Sequence, residues 1–300
     1  MTIKRQGLGV LVGCLGVLGW APSRAEGPAH SGWWSEDVIL EGEVQVGEPP
    51  PTVWPTTIDL ATAQVVDLTH TFDDTTLYWP TSPSAFELKT LAKGPAPGGY
   101  HYEANLFCTP EHGGTHLDAP VHFAEGAQSA DHIPLKRLMG SAAVIDIRVA
   151  TSRRANYRLT RLDVKRWEAK FGAIPAGAVV LLNTGWGPRW PDRKAYLGDD
   201  TPGDASKLQF PSFGPEAVEY LVNTRKIAAI GVDTASIDPG DSKDFPVHRL
   251  VGAANVPALE NVAHLDALPP VGAIVMALPM KIGGGSGGPA RIVAFLPPKP

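Results

Sequence analysis

Three of the chain's nine histidines and one aspartate fall within "HGGTHLDAPVH", residues 112–122. Along an extended segment alternate side chains share a face, with about 6.6 Å per pair of residues. An extended reading therefore points His116, Asp118 and His122 the same way. Gly113 and Gly114 let the chain bend and bring His112 back toward the same point. Pro120 blocks helix and central-strand pairing, which puts the segment at a strand end or edge. Three imidazoles and a carboxylate brought together carry a desolvation cost that a bound cation offsets; the competing reading is a structural histidine cluster. Nitrogen and carboxylate donors without thiolate suit Zn²⁺, Mn²⁺ or Fe²⁺ and disfavour a closed cysteine zinc site.

Other chemistries find less support. "HGGTH" lacks the serine of a nucleophile elbow, and no GxSxG occurs. "GGGSGG", residues 283–288, lacks the Lys-Ser/Thr ending of a phosphate loop and reads as a tight backbone approach or a flexible loop. Asp233, Ser236 and Asp238 in "GVDTASID" follow an apolar strand, where they either orient ligands from behind or form a structural turn. His30, His70, His101, His132 and His264 read as surface or hydrogen-bonded core residues.

The elements that must position the cluster are legible from residue 64 onward. Short β-rich apolar runs, "VVDLT", "AAVIDIRV", "AVVLLNT", "IAAIGVD", "AIVMALP" and "RIVAFLP", predict strands. "TRLDVKRWEAKF" predicts a helix capped by Thr160, and "GPEAVEYLVNT" one that starts at Pro215. No repeat or linker divides the chain, so the expectation is a single compact α/β domain of mixed β-sheet layers with flanking helices, over residues 61–300. The charged, turn-rich stretch 187–213 is long enough for a lid or binding loop, or for a plain surface excursion.

The N-terminus predicts export. Lys4 and Arg5, a short apolar run and small Ser23 and Ala25 match a secretory signal over residues 1–25, and the run is short for a membrane span of about 20 residues. "LVGC" offers a lipoprotein site at Cys14 as the alternative. Residues 26–60 carry "GEPPP" and "VWPTT" and read as an arm or tether. Removal of 1–25 takes away Lys4, Arg5 and Arg24 and no acid, moving the formal charge from −5 to −8. A mildly acidic chain without a basic run gives no electrostatic reason for nucleic acid or, once processed, a membrane as partner. It leaves Cys108 alone, so an internal disulfide cannot support the fold, and 43% hydrophobic residues must supply the core.

At His112, Gly114, Thr115, His116, Asp118, Pro120 and His122 the stretch resembles the defining motif of the cyclase family of metal-dependent hydrolases, which includes bacterial kynurenine formamidase and isatin hydrolase. "VVDLTHTFDDTTLYWP", "GVDTASIDPGDSKDFPVHRLVG" and "NVPALENVAHLDALP" extend the resemblance. It implies a fold built on β-sheet layers and homodimers or homotetramers. It also implies one or two divalent ions, Zn or Mn, per subunit. His112, His116 and Asp118 would hold the first, with Asp118 bridging to a second held by His248 and Glu260. His122 would be the catalytic acid/base, with direct metal ligation left open by its spacing, and Trp79 would lie against an aromatic substrate. By local pattern, His248 falls near a loop-to-helix junction, and Glu260 on a helical turn that would share a face with His264.

The chain's length, its 26–60 arm, its 187–213 loop and its export signal depart from the cytoplasmic formamidases and weaken N-formylkynurenine as substrate. The leading expectation is hydrolysis of an amide, formamide or lactam C–N bond, on a small aromatic molecule, by metal-activated water with His122 moving the proton. A metal-dependent cyclase or dehydratase would share every ligand. A non-enzymatic periplasmic metal- or ligand-binding protein is the third reading.

Overall fold

The β-branched and leucine-rich runs pack as strands of one sheet that closes on itself in the computed structural model, which describes residues 54–298. All of these lie in the compact unit Val46–Pro300. In chain order the strands are β1 (Gln64–Asp67), β2 (Glu87–Pro95), β3 (His101–Cys108), β4 (His116–Asp118), β5 (Met139–Asp146), β6 (Arg158–Leu159), β7 (Val179–Asn183), β8 (Ser212–Phe213), β9 (Ala229–Val232), β10 (Ala258–Glu260), β11 (Ile274–Pro279) and β12 (Gly287–Leu296). The α-helices are α1 (Arg148–Thr151), α2 (Arg161–Phe171), α3 (Arg193–Leu197), α4 (Pro215–Tyr220) and α5 (Pro246–Ala253). All six predicted runs form strands.

The order β1-β12-β11-β5-β7-β9-β10-β4 is closed by a second pairing of β12 with β4. The expected sheet layers are thus the walls of a barrel-like sheet. Within this sheet β5, β7, β9 and β10 are parallel neighbours, and the remaining pairings are antiparallel. Both faces of the parallel part are buried, which explains its unbroken apolar runs. Ala142, Val144, Val179 and Leu181 face the barrel interior with Leu117, Leu259, Val275 and Ile292. Their neighbours Ala143, Ile145, Val180 and Leu182 pack under α2, α4 and α5 through Val164, Trp167, Val218 and Val251.

Local chemistry fixes the helix ends. The Thr160 side chain accepts from the Asp163 backbone while Asp163 reaches back to the Thr160 backbone, a reciprocal cap on α2. Pro215 opens α4 and Pro246 opens α5, where a missing N–H costs nothing. Among the described residues no helix is long and apolar enough to cross a membrane. The expected signal sequence, residues 1–25, lies outside the described residues, as does the expected arm up to residue 53. At the end of that arm Trp54 packs 6.1 Å from the Trp167 ring, and Pro55 accepts a hydrogen bond from Ser141.

Three features differ from the sequence expectations. Glu260 ends strand β10, because Ala258 and Leu259 insert their side chains into the two cores on either side of the sheet, and no helical turn relates it to His264. The extended segment stops at Asp118, and Pro120–His122 form a 3₁₀ turn. Strands β2 and β3 form a hairpin outside the main sheet. Its sparse apolar alternation faces solvent and carries no signal of burial.

Candidate active site

The parallel strands deliver their C-terminal ends to one edge of the barrel, the place where α/β sheets bind ligands. Beyond β9 come Ala235 and Ser236, and β10 ends in Glu260 followed by Asn261. Strand β4 runs antiparallel to β10 in a register that sets His116 opposite Glu260 and Asp118 opposite Ala258. The chain reaches β4 through Gly113 (φ 145°) and Gly114 (φ 58°). A Cβ on Gly113 would sit 2.1 Å from the Tyr78 ring, and one on Gly114 2.4 Å from Phe72. The two glycines therefore allow both the turn and the close packing that return His112 to Asp118.

All seven residues singled out by sequence, His112, His116, Asp118, His122, His248, Glu260 and Trp79, line one cavity of about 270 Å³. Asp118 is its hub. Its Oδ1 lies 2.7 Å from His112 Nδ1 and 3.1 Å from His116 Nε2, and its Oδ2 lies 3.1 Å from His248 Nε2. Glu260 approaches from the opposite side, 3.1 Å from His248 Nε2 and 3.5 Å from His116 Nε2. The His122 ring stacks on His112 with centroids 3.8 Å apart and stands 6.1 Å from His248. His122 thus reaches the cluster by the 3₁₀ turn rather than along an extended face.

These distances define two overlapping donor sets, His112–Asp118–His122 and His116–Asp118–Glu260, in each of which the ligand atoms lie within 4.8 Å of one another. This grouping divides the side chains differently from the one the family resemblance implied, while keeping Asp118 common to both. His264 lies apart, near His70, with ring centroids 6.5 Å away.

The groups behind the cluster direct its nitrogens. His116 Nδ1 donates to the Gly114 carbonyl at 3.0 Å, and His248 Nδ1 donates to Asp238 at 2.7 Å. Asp238 also accepts the Val247 and His248 backbone N–H groups at the start of α5. Asp233 instead accepts from Thr184, Gly185 and Trp186 and so fixes the loop after β7. Trp186 and Tyr196 then anchor the 187–213 stretch, in which α3 brings Leu197 to the cavity wall. Sequence reasoning missed Asn261, which bridges Tyr196 to the Gly114 carbonyl, and the apolar wall residues Phe123 and Phe245. Their only signal was proximity to His122 and His248.

The cluster is built to hold positive charge. Burial pushes the Asp118 carboxyl up, but hydrogen bonds from His112 and His248 and the close positive edge of the His116 ring outweigh it and hold it well below its usual range. Burial pulls His116 down, and the Asp118 and Glu260 carboxylates reverse this and hold it up at about 9. His248 is likewise raised against its burial, by Asp118, Asp238 and Glu260. His122 goes the other way: burial drives its imidazole down to about 4, with Asp118 opposing only in part. It is neutral at neutral pH and able to accept a proton. His116 Nε2 is buried and makes no hydrogen bond; the Asp118 oxygen at 3.1 Å is near enough to pair in charge but lies off the hydrogen-bond direction. A buried orphan nitrogen flanked by two carboxylates and a second imidazole fits a divalent cation.

Residues 66–239 match the Cyclase family. Isatin hydrolase of Roseibium aggregatum is 35% identical over 207 residues, covering 66% of this chain and 77% of its own length. Kynurenine formamidase of Salinibacter ruber is 26% identical over 238 residues, covering 79% and 99%. A crystal structure of an isatin hydrolase bound to the product analogue thioisatinate superposes with a TM-score of 0.72 at 31% identity, over 79% of this chain and 94% of that one.

Proposed function

This chain belongs to the cyclase family, and on that premise we propose that it is a metal-dependent hydrolase of a small-molecule amide C–N bond. The observation that carries the reading is the junction of two surfaces in one cavity: the Asp118-centred cluster of imidazoles and carboxylates, and an apolar wall of Leu77, Trp79, Phe123, Leu197 and Phe245. His112, His116, Asp118, His248 and Glu260 would hold one or two divalent ions, Zn or Mn. When bound, such an ion lowers the pKa of water to about 7 and polarises a carbonyl.

The chain's own residues do the rest. Trp79 stands edge-on to Phe210 at 6.3 Å, and this contact fixes its ring at the cavity wall. A flat substrate, an aromatic lactam or formamide, packs against Trp79 and Phe245 with its carbonyl toward the position where the cluster would hold the ion. The apolar wall excludes bulk water, so charge on the carbonyl oxygen is felt strongly there. Asp118 and Glu260 hold the positive charge in place, and Asp238 holds His248. His122, neutral and stacked on His112, takes a proton from the attacking water and returns it to the departing nitrogen, a transfer worth about 10²–10⁴ in rate.

The hairpin of β2 and β3 supports a homo-oligomer: Leu88, Leu91, Tyr100, Tyr102, Leu106 and Phe107, distributed over its two faces, are 48–62% exposed, and burial of such side chains favours association. Export to the periplasm after loss of residues 1–25 completes the proposal, and N-terminal sequencing starting near Glu26 tests it. The reaction is tested with the metal-loaded protein in ¹⁸O-water, on isatin, an aryl formamide and an aliphatic amide. Turnover of an aromatic substrate with one ¹⁸O in the new acid is expected. Product without label would instead support cyclisation or dehydration, and tight binding without turnover a binding protein.

A further inference from the structure

The glycine-rich stretch 283–288 runs directly behind His112. His116 and His248 each point one ring nitrogen at Asp118 and donate the other N–H to an acceptor that can only accept, a carbonyl or a carboxylate. His112 is different, because its outer Nε2 meets a hydroxyl, Ser286 Oγ, at 2.9 Å. A hydroxyl can donate or accept. Glu111 removes that freedom: its Oε2 lies 2.5 Å from Ser286 Oγ and also accepts the Ser286 backbone N–H at 3.0 Å. The hydroxyl proton therefore goes to Glu111, and the Oγ lone pairs face His112. Nε2 must carry an imidazole proton, so Nδ1, which faces Asp118 Oδ1 at 2.7 Å, is the nitrogen that can exchange its proton to the carboxylate for a bound cation.

The loop is shaped for this contact. Gly287 pairs with Asp118 across β12 and β4, and the Ser286 carbonyl accepts the Ala119 N–H at 2.8 Å. The Gly285 carbonyl is held by Ala130 N–H and the Gly284 N–H by Asp131. A Cβ on Gly285 would fall 2.6 Å from Glu111 Oε1, and one on Gly287 2.7 Å from His112 Cε1. Glycines flank the serine because the backbone must touch both Glu111 and His112.

We propose that Glu111 and Ser286 are positioning residues, forming a relay from Glu111 through Ser286 to His112 that fixes Nδ1 as the metal-facing nitrogen. The proposal rests on the metal-centre reading above. It is tested on the full chain by Zn²⁺ affinity, measured by competition with a chelator, and by NMR of the His112 ring in the Zn²⁺-loaded protein. Ser286→Ala and Glu111→Gln should each weaken Zn²⁺ binding by about 10–100-fold, the usual effect of removing a partner behind a ligand. The double variant should bind within about twofold of Ser286→Ala alone, because Glu111 acts only through Ser286. A slowly exchanging His112 Nε2–H should be present in the wild type and lost in Ser286→Ala. Variants that bind Zn²⁺ like the wild type, losses that multiply in the double variant, or a His112 proton on Nδ1 would each overturn the relay. A wild type that binds no Zn²⁺ refutes the metal centre separately; a slowly exchanging His112 Nε2–H that is present in the wild type and lost in Ser286→Ala then supports the relay alone, and one unaffected by Ser286→Ala overturns it.

Discussion

Gly287 is the position where fold and site meet most tightly, and its replacement by alanine separates their contributions. The added Cβ would lie 2.5 Å from the Leu117 carbonyl oxygen and 2.7 Å from His112 Cε1. The first is backbone of the paired strand and cannot move without parting β12 from β4. The Gly287 backbone lies outside the left-handed region, so the effect is one of space alone. Overpacking of this kind costs about 1–3 kcal/mol, and at ~2–4 °C per kcal/mol for a chain of this size the melting temperature should fall by about 2–12 °C. Gly288 is the control: its Cβ would come no nearer than 3.2 Å to the terminal Ile282 Cδ1, with Met280 at ordinary contact distance, and Gly288→Ala should melt within about 2 °C of the wild type. Calorimetry on chelator-treated and Zn²⁺-loaded protein adds the second readout. Displacement of His112 should cost a further ~1.4 kcal/mol in the loaded form for each tenfold loss of affinity. Equal melting of Gly287→Ala and wild type, in both states, would refute the idea that this strand contact holds His112.

The same geometry makes three other variants informative. His122→Ala should keep its metal and bind substrate within a few-fold while kcat falls by about 10²-fold or more; recovery of the rate at high added metal would make His122 a ligand instead. Trp79→Ala should raise KM for aromatic amides more than for aliphatic ones, and an equal effect on both would remove the ring from the substrate wall. His70, stacked on Trp190 at 4.2 Å, is pushed down to about 4 by burial and by His264. The unfolded chain therefore takes up this proton first, so His70's contribution is complete above about pH 6.5 and is lost on acidification toward 4, by at most ~1.4 kcal/mol per pH unit. His70→Gln should flatten that part of the melting-temperature profile, and an unchanged slope would refute it.

The strands are legible in the sequence because burial on both faces demands unbroken apolar runs such as "AVVLLNT". The cluster is legible because His112, His116, Asp118 and His122 lie within eleven residues. Residues that act across the fold are harder to see. Nothing local in "GGGSGG" says that Ser286 touches His112, a contact 174 positions apart set by the β12–β4 register. Glu260 reads locally as part of a helical turn because its short strand, flanked by Pro257 and Asn261, is too brief to show a period; parallel pairing with β9 overrides the local preference. The 3₁₀ turn at Pro120–His122 is hidden for a related reason. Proline excludes the helix interior, but it is well suited to the first position of a short turn.

A hydrolytic metal centre organised on Asp118 stands or falls on stripping and restoring the metal. The purified protein is dialysed against chelator, assayed on isatin and an aryl formamide, and assayed again after adding Mn²⁺ or Zn²⁺, beside Asp118→Asn treated identically. Turnover should be lost on stripping and recovered with one or two ions per chain in the wild type, while Asp118→Asn should show neither metal nor turnover. Turnover that survives stripping, or an Asp118→Asn protein with full metal and full rate, would contradict a metal centre built on this carboxylate.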